Sequence, residues 1–105
     1  MSDDVLVEVA LQRQEAFKNL PKYLEIIKKI AHRIDPKAKI YLFGSATTEE
    51  HNFSSDIDIL IITKAAPAKV LSELARAGIT DPFEIHVHTS KEADLFKKTT
   101  RLIRA

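Results

Sequence analysis

The apolar positions change period along the chain. From Phe17 they recur at Leu20, Leu24, Ile27, Ala31 and Ile34, spaced by threes and fours, which predicts an amphipathic helix. Pro21 interrupts the stripe. Asn19 suits an N-cap with Pro21 in the first turn, so two helices or one kinked helix are expected, ending before Asp35-Pro36. Upstream, Val5 to Asn19 has helix-forming composition with an irregular stripe. Two β-type runs follow, Ile40-Tyr41-Leu42-Phe43 and Ile59-Leu60-Ile61-Ile62, joined by a mostly polar connection, as neighbouring strands are. Ala65-Ala66-Pro67 then leads into a short helix with Val70, Leu71 and Leu74 inward and Gly78 as its C-terminal cap. After the turn at Asp81-Pro82, Phe83, Ile85 and Val87 alternate with Glu84, His86 and His88, a strand pattern. Thr89 and Glu92 form a capping box for a last helix expected to insert Ala93, Leu95, Phe96 and Leu102. The order helix, strand, strand, helix, strand, helix predicts an α/β (α+β) domain: a small mixed β-sheet with helices packed against it.

The polar residues between the two β-type runs carry the chemistry. Asp56 and Asp58 open the second strand and, by alternation, share one face, with Ile57 and Ile59 on the other. Two carboxylates so close repel unless a proton or cation relieves them, and at a strand mouth a divalent ion with oxygen ligands, Mg²⁺ above all, fits. Gly44-Ser45 closes the preceding strand. Glycine allows a sharp turn and close backbone approach, and serine can cap a following helix whose N–H groups hold phosphate. Gly44 as a plain turn residue and Ser45 as a plain cap are the bland readings. A phosphate cradle beside a metal-binding carboxylate pair is what metal-assisted phosphoryl or nucleotidyl transfer requires.

Gly44-Ser45, ten residues, then Asp56-x-Asp58 resembles the G-S-x10-D-x-D signature of the polymerase-beta-type nucleotidyltransferases, in particular the minimal nucleotidyltransferase (MNT) domains. The resemblance covers about residues 20–102. It implies the polymerase-beta palm-like fold in a single domain over 1–105, with a core of about 20–102 and an N-terminal helix over 5–19. It implies catalytic Asp56, Asp58 and Glu84 holding Mg²⁺ in a two-metal site, with Gly44 and Ser45 on the phosphates of ATP or another NTP. Glu84 is the third carboxylate, as general base or ligand of a second ion, and His86 is the competing position on the same face. Ala46 fits the small position that follows the signature, whereas Thr47-Thr48 stands where many relatives have a basic residue and glycine. The implied reaction moves a nucleoside monophosphate, AMP from ATP, to a hydroxyl acceptor. The implied partner is a HEPN-domain toxin modified on a tyrosine, with this chain as antitoxin, or a second copy of the chain. A catalytically degenerate module that binds nucleotide or neutralises its partner by contact is the alternative.

His86-x-His88 offers two imidazoles on one strand face, so a Zn²⁺-dependent hydrolase is a third reading beside histidines that merely line the sheet. His32 and His51 read as surface residues. Lys97, Lys98, Arg101 and Arg104 read as a basic face on the last helix, solvated or docking an acidic partner or RNA. Composition narrows the field only modestly. The chain has 105 residues, 45% hydrophobic and 30% charged, as in one soluble globular domain. A formal net charge of +1 gives no general case for nucleic acid or membrane. Without cysteine, disulfides and thiolate zinc sites are excluded. No apolar run nears the roughly 18 residues of a span, and the acidic start is unlike a signal peptide, so a cytoplasmic location is expected. With three residues after Leu102, the site is expected to be completed by a partner or a second copy.

Overall fold

The structure is a computed structural model and describes residues 2–43, 56–99 and 101–105. Gly44, Ser45, Ala46, Thr47, Thr48 and His51 lie outside the described residues. Helices α1 (Ser2–Lys18) and α2 (Leu20–Ile34) precede strands β1 (Lys39–Phe43) and β2 (Ile57–Ile62). Helix α3 (Pro67–Arg76), strand β3 (Phe83–His88), helix α4 (Ser90–Thr99) and strand β4 (Leu102–Arg104) follow. The sheet order is β3-β2-β1-β4. β1 is antiparallel to both β2 and β4, and β2 is parallel to β3 through the α3 crossover. The expected mixed sheet with packed helices is what forms.

The junction at residues 18–20 yields two helices. Pro21 sits in the first turn of α2, where a missing N–H costs nothing. Asn19 occupies the N-cap position, but its Nδ2 turns back to donate to the Glu15 carbonyl at 3.1 Å. The backbone carbonyl of Asn19 instead starts α2 by accepting from Lys22 and Tyr23. At the end of α3, Gly78 adopts φ +89°, a left-handed conformation that glycine takes without a Cβ clash. The N–H groups of Gly78 and Ile79 then reach back to the carbonyls of Ala75 and Leu74, a Schellman-type closure.

β2 is one of the two interior strands and is buried on both faces. Ile57, Ile59 and Ile61 join Ile27, Ala31, Val70 and Leu74 in the core under α2 and α3. Leu60 and Ile62 point the other way, to Ala93 of α4 with Tyr41, Phe43, Phe96 and Leu102 around them. Asp58 shares this second face by alternation.

Three expectations about the apolar set are corrected. Leu95 is 69% exposed, because two residues along a helix rotate it about 200° from the buried Ala93. Leu71 is 42% exposed, a rim residue one position off the Val70 and Leu74 line. Leu102 is on β4 and not in the last helix: its short strand pairs with β1, Phe43 opposite Leu102. The basic residues consequently do not share one helical face. Arg104 lies on β4 with its guanidinium 5.5 Å from the Tyr41 ring centroid, and Arg101 follows the helix.

Candidate active site

Strand register builds the site. In the parallel pair, Asp58 stands opposite Glu84, and Leu60 opposite His86. Phe43, the last residue of β1, stands opposite Asp58 on the other side. Glu84, His86 and His88 leave β3 on the α4 side because Phe83, Ile85 and Val87 are drawn into the core under α2 and α3. One acidic and one imidazole side chain of β3 are thereby set beside the carboxylate of β2.

The three groups converge. Nε2 of His86 is 3.7 Å from Asp58 Oδ1 and 3.7 Å from Glu84 Oε1, and one donor atom from each residue lies within 4.8 Å of the others. Edge-on contacts with Phe43 at 5.1 Å and Phe96 at 6.2 Å hold the His86 ring. Its Nε2 is buried and has no hydrogen-bond partner among the described residues. Asp58 is 24% exposed, and its carboxyl is held above the ordinary range. Burial is the main cause; the neighbouring negative charges of Glu84 and Asp56 add to it, and His86 opposes it.

Asp56 lies just outside β2 and is engaged elsewhere. Arg13 of α1 places Nη1 3.3 Å from Asp56 Oδ1 and Nη2 3.2 Å from Asp81 Oδ1, with its own side chain 17% exposed. One guanidinium therefore ties the N-terminal helix to the turn before β3 and to the mouth of β2. The sequence carried no signal for this contact, since Arg13 sits in a helix with an irregular stripe and its partners are 43 and 68 residues away.

His88 parts company with His86. Its Nδ1 faces Glu92 Oε1 at 3.5 Å and its ring packs on Phe96 at 5.0 Å, so the two imidazoles do not converge on one point. The Thr89–Glu92 capping box forms, with the Thr89 N–H donating to Glu92 Oε1 at 2.8 Å and the Glu92 N–H to Thr89 Oγ1 at 3.3 Å. The Thr89 N–H is also the main reason that the Glu92 carboxyl lies below its ordinary range. His32 is an exposed residue whose Nε2 lies 2.9 Å from the Ala38 carbonyl. A cleft of about 570 Å³ opens near the far end of β2, lined by residues including Asp35, Lys37, Lys39, Thr63, Lys64 and Ser90; none of the converging groups lines it.

The family model of the nucleotidyltransferase domain matches residues 24–102. The chain belongs to this family. Its fold is also that of a solved crystal structure described as a candidate nucleotidyltransferase, with 26% identity and a TM-score of 0.63 over 78% of this chain and 96% of that one. No curated protein matches the chain significantly. Nucleotidyl transfer is thus the general function that family and fold support for this nucleotidyltransferase domain. Among the described residues, no helix is long and apolar enough to cross a membrane. The donor set suits a divalent cation: two carboxylates whose mutual repulsion a cation would relieve, and a buried ring nitrogen without a hydrogen-bond partner among the described residues.

Proposed function

We propose that this nucleotidyltransferase domain is a Mg²⁺-dependent transferase that moves a nucleoside monophosphate, AMP from ATP, to a hydroxyl acceptor. The observation that carries the reading is the placement of Glu84 opposite Asp58 in the parallel strand pair. Asp58, Glu84 and Asp56 would hold the ions, Asp56 after release from Arg13. Bound there, divalent ions supply charge stabilisation at the attacked phosphorus and the leaving pyrophosphate. Gly44 and Ser45, which follow Phe43 directly, are assigned to the triphosphate from the signature. Glu84, more exposed than Asp58, is the base that takes the acceptor's proton as the new P–O bond forms and the bond to pyrophosphate breaks.

The acceptor is proposed to be a tyrosine of a HEPN-domain toxin, with this protein as its cytoplasmic antitoxin and with the partner, or a second copy, completing the site. Support for the partner is the MNT resemblance of residues 44–58. Calorimetric titration of ATP with and without Mg²⁺, against an Asp56→Ala, Asp58→Ala double variant, tests the nucleotide site. Mg²⁺-dependent binding that disappears in the double variant is expected. Equal binding by both proteins would remove the carboxylates from the site. The second reading, a nucleotide- or partner-binding module without turnover, is favoured by the hold of Arg13 on Asp56. Label from α-³²P-ATP appearing on the partner, and lost in Asp58→Ala, decides for transfer.

A further inference from the structure

We propose that His86 Nε2 is a direct ligand of the divalent ion at Asp58 and Glu84, and that it turns this site toward first-row transition ions over Mg²⁺. The inference rests on the carboxylate site described above and adds a nitrogen donor to it. Buried polar atoms are almost always hydrogen-bonded, and an exception calls for a ligand or a strain that explains it. Nε2 of His86 is such an exception among the described residues. It is directed at two carboxylate oxygens and equidistant from them at 3.7 Å.

At 3.7 Å from each carboxylate oxygen, Nε2 is beyond hydrogen-bond distance of both. Adjacent ligands of an octahedral ion stand about 3 Å apart, so small side-chain rotations bring the three donors onto a common centre. Phe43 and Phe96 fix the ring from its edges, which presents the nitrogen at low entropic cost. The other two described imidazoles are engaged elsewhere, His88 toward Glu92 and His32 at the Ala38 carbonyl.

The choice of ion follows from ligand softness. Carboxylate and water suit Mg²⁺, which demands hard oxygen donors, whereas an imidazole strengthens binding of the first-row transition ions, least for Mn²⁺, the spectroscopic probe, and more for the ions after it. Two carboxylates and one imidazole therefore discriminate where three carboxylates would not.

The test uses the full chain, stripped with a chelator and titrated with Mn²⁺ alone, free Mn²⁺ being followed by electron paramagnetic resonance and Mg²⁺ by competition. The wild type is expected to hold Mn²⁺ at least about tenfold more tightly than Mg²⁺. His86→Asn should weaken Mn²⁺ binding about 10- to 100-fold and leave Mg²⁺ within about twofold. Asp58→Asn should weaken both. Pulsed measurements on bound Mn²⁺ should show imidazole ¹⁴N modulation in the wild type and in His88→Asn. Absence of that modulation in the wild type overturns the proposal without reference to the fold of any variant. Unchanged Mn²⁺ affinity in His86→Asn, with loss in Asp58→Asn, overturns it while the carboxylate site stands. No Mn²⁺ binding by the wild type overturns both.

Discussion

At the scale of single residues, the role proposed for Asp58 is set against stability. Its carboxyl is pushed up by burial and by its acidic neighbours, so the folded state resists ionising it. A carboxyl raised in the folded state contributes stability that is fully present below its unfolded value and is lost as pH rises through the raised one. Metal-free Asp58→Asn should therefore melt at a higher temperature than the wild type at neutral pH. The two should converge in acid, where wild-type Asp58 is protonated; melting curves in chelator between pH 3 and about 7 check this. Arg13 of α1 pairs with both Asp56 and Asp81. Replacing Arg13 with Ala should cost little global stability, about 1 kcal/mol for ion pairs whose carboxylates are about half exposed. It should sharply raise hydrogen exchange in α1, and unchanged exchange would show that other contacts hold this helix.

At the scale of elements, local signals and long-range pairing explain which parts of the fold were legible. The α2 stripe, the runs of β1 and β2, the alternation of β3 and the capping box of α4 are each written within a few adjacent residues, and each forms. Thr89→Ala removes the hydroxyl that caps Glu92 and should cost about 1 kcal/mol, read as a lower denaturant midpoint. Strand β4 was not legible. Three residues are too few to display a period, and Leu102-Ile103 becomes a strand only because β1 offers it an edge. Leu95 misled for a related reason: an apolar residue near a helical face is not on it, and only the angle from Ala93 decides. For the site, alternation put Glu84 and His86 on one face, but register alone sets Glu84 against Asp58. The convergence of His86 with both carboxylates, and the reach of Arg13 across the fold, depend on tertiary packing that no local pattern encodes.

At the scale of the whole molecule, β2 joins the core on both faces to the candidate site at its mouth. It is buried on two faces and flanked by β1 and β3, so a large-to-small change there opens a cavity and disturbs the site at once. Ile59→Ala, fully buried beneath α2 and α3, should cost about 2–5 kcal/mol and lower cooperative unfolding of the domain as one unit. Among the described residues, β3 ends the sheet on its side. A free edge offers its unpaired N–H and C=O groups to any other strand, and natural edges are commonly blunted with charge. Glu84, half exposed on that edge, supplies a charge at the second position of the strand. The side chain proposed to act in chemistry would thus also oppose strand pairing along this edge. Selection on Glu84 would then carry a second component, colloidal rather than catalytic: an inactive homologue freed from turnover would still be expected to keep a charged residue there, and one that lost it would be prone to edge-to-edge aggregation.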